Sequence, residues 1–322
     1  MKLAHTAVAC VLAGLGLGPI SALAQDFPSR AIKFVIPFTA GSATDTLARV
    51  LGQKLTAAHG WTIIVENIAG ASGQTAASNV ARAAPDGHTV FVTSNTTHAA
   101  NQNLFKKLSY DPIADFEPIT RLGDITLALA VHPSVPASNV RELIAYGKAN
   151  PGKLSFGAGS TSSRMASEML KARGGFDMLY VPYRANPLAV ADLLGGQVSL
   201  VFADLSTTLP QIRSGSVKGL GVSSLKRSPL APELPTMIEE GIPDFEMIGW
   251  FAAFAPARTP KPVVEKLDGA IRAAVEDKTV EENLLKAGIE PLTSTPDELR
   301  AYVVSETKKW ADIVKAAKIE PE

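Results

Sequence analysis

The chain has 322 residues, 46% of them hydrophobic and 19% charged, with 31 basic and 31 acidic side chains. That length and apolar share are enough for two ordinary cores and exclude a disordered chain. Zero formal net charge excludes a general nucleic-acid binder, which needs a basic excess to meet phosphates, and the single cysteine, Cys10, excludes a disulfide framework and a Cys-rich zinc site.

Residues Met1–Ala24 read as a secretory signal: Lys2, then a small-residue apolar run, then Ala22-Leu23-Ala24. The cut is expected after Ala24, which makes the protein periplasmic. Gly14, Gly16, Gly18 and Pro19 break the run, which falls short of the ~20 apolar residues of a membrane span. Cys10 lies ahead of most of it, which weighs against a lipoprotein. No later stretch approaches the length of a span.

Short β-branched runs then alternate with helical spacing. Strands are predicted at Ile32–Phe38, Thr62–Glu66, Thr89–Thr93, Leu127–His132, Leu154–Gly157, Met178–Tyr183, Val198–Ala203 and Val217–Ser223. Most are continuously apolar, as in a parallel sheet covered on both faces. Helices are predicted at Thr44–Ala58, Ser138–Ala149, Ser163–Arg173, Pro187–Leu194, Lys261–Glu276 and Pro296–Lys318, with Ser138 and Thr295 suited to cap two of them. The βαβ alternation occurs twice, around Ile32–Thr93 and Leu154–Ala203, so the pattern predicts an α/β fold of two doubly wound lobes. The tail after Trp250 reads as helical and returns to the first lobe. Crossings are expected near Pro118–Thr126 and Glu246–Ala255, giving a first lobe of 25–122 plus 250–322, a second of 123–249, and a ligand cleft between them.

Two loops join an apolar strand to a helix and could hold an anion. The first is Pro37–Asp45. Gly41 lets the backbone turn, Ser42 and Thr44 add hydroxyls beside the free N–H groups of a helix start, and Asp45 favours the helix dipole. A plain strand-to-helix turn explains the same residues. The second, Ser155–Ser163, carries four consecutive hydroxyls, Ser160, Thr161, Ser162 and Ser163, after Gly157 and Gly159. Capping needs one hydroxyl, so four point to hydrogen bonding with an oxyanion. Gly157-Ala158-Gly159 also opens like a dinucleotide fingerprint, but Ser162 replaces the third glycine and Asp177 precedes the next strand instead of following it, so that reading fails.

Three further polar loops follow strands. Ser94-Asn95-Thr96-Thr97-His98 is either a ligand loop or a solvated turn. Arg184, in Tyr183–Asn186, either pairs with a carboxylate or is a surface side chain. Asp204 either accepts from a ligand or caps the next helix. Enzyme signatures are missing: there is no G-x-S-x-G or H-E-x-x-H, and His59, His88, His98 and His132 have no metal-ligand spacing. No catalytic residue, cofactor or metal is predicted.

The chain resembles the extracytoplasmic solute receptors of tripartite tricarboxylate transporters, the Bug family. The stretches that carry the resemblance are Phe27–Arg30, Pro37–Asp45, Val65–Asn67, Ala84–Thr89, Leu108–Pro112, Asp115-Phe116, Asn150–Leu154, Val181–Tyr183, Leu194–Val198, and Trp250-Phe251 with Ala255–Ala257. They stand in family order and span almost all of Phe27–Ile319. The resemblance implies a fold like the type II periplasmic binding proteins, two lobes joined by two crossing strands. It also implies capture of a small organic anion, mono- or dicarboxylate or aromatic, and delivery to membrane subunits of the transporter. By resemblance, a carboxylate is gripped, partly through ordered waters, by the first loop (Phe38, Ala40, Gly41, Ser42, Ala43, Thr44, Asp45) and the second (Gly159, Ser160, Thr161, Ser162, Ser163). Ser94, Thr96, Thr97, Tyr183, Arg184, Ala185 and Asp204 line the rest of the pocket.

Two departures from the family pattern bear on selectivity. Ser42 stands where Gly is common, adding a hydroxyl and restricting the backbone. Arg184-Ala185 replaces Lys-Gly, and an arginine there would suit a second acidic group on the ligand. The same binding could serve a sensor kinase instead of a transporter, which a pull-down with and without ligand separates. A periplasmic α/β hydrolase is the remaining alternative, and no motif supports it.

Overall fold

A computed structural model describes residues 27–317 and 319–321. The signal segment expected at 1–24 lies outside the described residues.

The first lobe is built on a five-stranded sheet of order β2-β1-β3-β10-β4: β1 (Ile32–Ile36), β2 (Ile63–Asn67), β3 (Thr89–Ser94), β4 (Phe116–Ile125) and β10 (Gly249–Pro256). The second sheet, β7-β6-β8-β5-β9, comprises β5 (Leu127–Val131), β6 (Ser155–Ala158), β7 (Leu179–Pro182), β8 (Leu200–Asp204) and β9 (Lys218–Val222). All eight sequence-predicted strands are present. Each βαβ unit is parallel, as expected: β1 with β2 and β3, and β6 with β7 and β8. The sheets as wholes are mixed, however, because β10 runs antiparallel to β3 and β4, and β5 antiparallel to β8 and β9.

The helical tail begins at Lys261 and not directly after Trp250; the run Gly249–Pro256 is strand β10, on the crossing expected near Glu246–Ala255. Its register with β4, from Gly249 opposite Ile125 to Pro256 opposite Phe116, lays the two inter-sheet connections side by side. Only Thr126 separates β4 from β5, so one crossing is nearly continuous strand.

Helices cover both faces of the first sheet. In β1, Ile32, Phe34 and Ile36 pack with Leu47, Leu51 and Leu55 of α1 (Ala43–His59), and with Leu267 and Ile271 of α8 (Lys261–Val275) and Leu284 of α9 (Lys278–Lys286). Val35 faces the other way, into a cluster shared with α2 (Gln74–Ala81) and α10 (Pro296–Ala316). This is the period-2 alternation of a strand buried on both sides. The second sheet is covered by α4 (Val140–Ala149), α5 (Thr161–Gly174), α6 (Asn186–Leu194) and α7 (Leu205–Arg213).

Caps set the helix starts. Thr295 caps α10 as expected, and does so in a capping box with Glu298. Ser138 does not cap α4. Asn139 accepts the Glu142 N–H at 2.8 Å, while the Ser138 N–H donates to the Glu142 carboxylate at 2.7 Å, so the helix begins at Val140.

Helix α10 anchors the crossing strands. Buried Glu306 accepts from the Trp250 indole at 2.9 Å, and Lys309 pairs with Glu246 at 3.0 Å. Arg121 lies over the Tyr302 ring at 4.0 Å and also pairs with Asp124. Farther along, Ile313 and Val314 join the same apolar cluster as Met165 and Met169 of α5, so one helix touches both lobes.

Candidate functional site

The three parallel strands of each βαβ unit end at one edge of their sheet, where open α/β folds place ligands. In the first lobe, the loop after β1 is organised around Asp45. Its carboxylate accepts from the Gly41 N–H at 2.9 Å, Arg49 Nε at 3.0 and 3.1 Å, and Asn67 Nδ2 at 3.0 Å. Burial alone would raise this carboxyl, but the bonds from Arg49, Gly41 and Asn67 outweigh it and hold the pKa below its ordinary value. Asn67, at the end of β2, also donates to the Phe38 carbonyl at 3.0 Å. Gly41 has φ +80°, a left-handed turn that favours glycine. Ser42 caps α1 by accepting the Asp45 N–H at 3.3 Å.

Asp45 is thus an internal clamp of its loop, with a side chain only 4% exposed. Thr44 is buried, Phe38 and Ala43 are half-buried, and Ala40 and Gly41 are exposed. The clamp takes up the Gly41 N–H and its own charged side chain, and leaves Ala40 and Gly41 as exposed residues at the loop surface.

In the second lobe, the four hydroxyls have four different positions. Ser160 caps α5, its Oγ accepting the Ser163 N–H at 3.2 Å. Ser163 is fully buried and donates to the Phe202 carbonyl of β8. Ser162 accepts from Asn95 Nδ2 at 3.1 Å, a bond that joins the two lobes. Thr161 lines a cavity of about 290 Å³ between them. Because the cap accepts only the Ser163 N–H, those of Thr161 and Ser162 have no acceptor within the helix, and the helix dipole adds to their attraction for an anion.

Asn186 ties three loop ends together. Its Oδ1 accepts the Gly159 N–H at 3.0 Å, and its Nδ2 donates to Ser160 Oγ at 3.3 Å and to Asp204 at 3.4 Å. Only glycine fits at 159: a Cβ there would stand 2.0 Å from the Ala185 carbonyl carbon and 2.3 Å from the Asn186 nitrogen. Burial raises the Asp204 carboxyl, against the Asn186 bond that lowers it.

The cavity brings together Gly159, Ser160, Thr161 and Tyr183 from the sequence-predicted set, with Ser72 and Asn101 from the first lobe. The Tyr183 hydroxyl donates to Asp192 at 2.7 Å; burial and that carboxylate push its pKa up to about 12. Thr97 is fully buried and bonded to Thr93 at 2.6 Å and His98 at 2.9 Å; Ser94 is buried and accepts the Thr96 N–H at 3.3 Å, with Thr96 half-buried. Arg184 and Ala185 are exposed and do not line the cavity. Sequence reading passed over Arg164, which does line it, and gave Asn186 no role as an organiser.

The family model for the tripartite tricarboxylate transporter family receptor matches residues 47–319. The chain belongs to this family. The solved structure of R. palustris Rpa4515 with adipate is 31% identical, with a TM-score of 0.80, covering 92% of this chain and 100% of that one. The periplasmic binding protein BugD is 36% identical, with a TM-score of 0.76 and coverage of 92% and 100%. MatC from Rhodopseudomonas palustris with bound malate is 33% identical, with a TM-score of 0.74 and coverage of 89% and 100%. This receptor therefore has the two-lobed α/β fold of periplasmic binding proteins, in a family of binding proteins two of whose solved relatives hold adipate and malate. None of its helices among the described residues is long and apolar enough to cross a membrane.

Proposed function

We propose that the protein is a periplasmic solute receptor. It captures a small organic carboxylate between its lobes and delivers it to membrane subunits of a tripartite tricarboxylate-type transporter. The observation that carries this reading is the start of α5: the Thr161 and Ser162 N–H groups lack helical acceptors, Thr161 lines an inter-lobe cavity, and the Ser162 side chain is bonded to the opposite lobe. Adipate in Rpa4515 and malate in MatC support the ligand class.

In this reading a carboxylate meets the Thr161 and Ser162 N–H groups, and closure adds the exposed Ala40-Gly41 turn from the other lobe, whose Gly41 N–H stays bonded to Asp45. Water is excluded, which strengthens each bond. A charge-assisted bond contributes about 1.5–3 kcal/mol, so a few support micromolar binding. Of the remaining sequence-predicted residues, Gly159, Ser160 and Tyr183 line this pocket, and the lobes divide at 25–122 with 250–322, and 123–249. Export through the signal at 1–24, cut after Ala24, completes the reading.

A thermal-shift panel of mono-, di-, tri- and aromatic carboxylates, amino acids and neutral sugars tests it. Ligand at a hundredfold excess over Kd adds about 2.7 kcal/mol of apparent stability. A rise with a carboxylate is expected; a rise with neutral solutes alone would overturn the anion assignment.

A further inference from the structure

The inter-lobe cavity has one arginine in its wall, and it is not the one the sequence singled out. Arg164 stands four residues after the Ser160 cap, one turn into α5. Helical side chains lean toward the helix N-terminus, so Arg164 reaches back along the roughly 6 Å of axis that separates it from the cap. Its guanidinium lies over the Tyr180 ring at 4.7 Å, a contact to its flat face that leaves the N–H edge free. Its Nε is buried with no hydrogen-bond partner. The ion pairs of α5 run from Lys171 to Glu168 and Asp177, not through Arg164.

Among the described residues no acceptor engages this guanidinium; its Nε is shut off from the cavity, so an oxyanion there would pair with the Nη groups. Arg184 offers no such arrangement, being exposed and outside the cavity wall. Glu320, from the C-terminal segment, is the one carboxylate in the lining among the described residues; it is exposed, so solvent screens its charge.

We propose that Arg164 is the specificity-determining residue of this receptor: it binds a second anionic group of the ligand, so that dianionic carboxylates are preferred over monoanions of the same length. The proposal rests on the carboxylate-receptor reading above. The first carboxylate occupies the N–H groups at the head of α5, and the second pairs with the guanidinium held on Tyr180.

Calorimetric competition with matched acids tests it: adipate against hexanoate, and succinate against butyrate. The wild type is expected to bind at least one dianion tenfold or more tighter than its partner. Arg164→Gln should lower dianion affinity about ten- to a hundredfold, leaving monoanion affinity unchanged. Arg164→Lys should keep part of the preference, and Arg184→Gln all of it. Melting curves verify that each variant folds. Retention of the preference in Arg164→Gln, or its loss in Arg184→Gln, overturns the assignment while the receptor reading stands. Absence of binding by any acid to the wild type overturns both.

Discussion

Asp45→Ala removes the clamp of the first loop, and its effect can be worked from the contacts. Arg49 is 49% exposed, so its ion pair is screened by solvent and contributes less than about 1 kcal/mol. The bonds from Gly41 and Asn67 are worth more, about 1.5–3 kcal/mol each when charge-assisted, discounted at Gly41 because water reaches that backbone. The expected loss is about 3 kcal/mol, a fall in Tm of roughly 6–10 °C. Asp45→Asn keeps one acceptor oxygen and should lose about half as much.

The loss should also depend on pH. The folded-state pKa of Asp45 lies below its ordinary value of 3.8, so its stabilisation is complete above that value and disappears as pH falls through the folded pKa. The gap between wild type and Asp45→Ala should therefore be constant well above pH 3.8 and narrow as pH falls below it. Urea denaturation from pH 7 to 3, with carboxylate titrations at pH 7, is the assay. Ligand affinity should drop about tenfold as the Gly41 turn loosens. An unchanged denaturation curve with abolished binding would refute this reasoning, because Asp45 would then act on the ligand directly.

Three further outcomes are expected. Ser162→Ala removes the acceptor for Asn95, so the ligand-free protein should open and its radius of gyration by X-ray scattering should rise; an unchanged radius would show that this bond does not hold the lobes together. Gly159→Ala drives a Cβ into the Ala185–Asn186 backbone and should lower urea stability by at least about 2 kcal/mol, with loss of ligand binding; a wild-type curve would mean that these loops stand farther apart. Burial raises Asp124 to about 6, against the pull of Arg121 and with help from Glu290 and Glu246. The folded state then holds this proton more tightly than the unfolded chain, so wild-type stability loses a contribution as pH rises from about 4 to 6. Asp124→Asn should be more stable than wild type by about 3 kcal/mol at pH 7 and equal to it near pH 4; a constant difference across that range would contradict the shift.

Much of the fold was legible because apolar runs such as Ile32–Ile36 and Leu200–Asp204 have one neighbour class on each side. Strands β4 and β10 were legible only as the crossings expected near Pro118–Thr126 and Glu246–Ala255. Pro118, Arg121, Gly123 and Asp124 interrupt the apolar pattern of β4, and sequence reading passed over the turn signal that ends β10, Pro256 with Thr259-Pro260 and Pro262. The antiparallel pairing of β10 and β5 depends on partners about 125 and 75 residues away, which local periodicity does not encode. At the site, the sequence located the Gly159–Ser163 loop but not the separate positions of its hydroxyls. Asp45 read as a dipole partner because Asn67, 22 residues on, supplies one of its bonds. Arg164 became visible only once Ser160 was fixed as the cap, which sets that arginine one turn into the helix and against Tyr180.

The most direct test of the central claim is a crystal structure of the mature chain with the best carboxylate from the panel. A ligand carboxylate is expected within hydrogen-bond distance of the Thr161 and Ser162 N–H groups, with the Ala40-Gly41 turn closing from the other lobe. A ligand bound outside the inter-lobe cleft, or held there without contact to the head of α5, would contradict it.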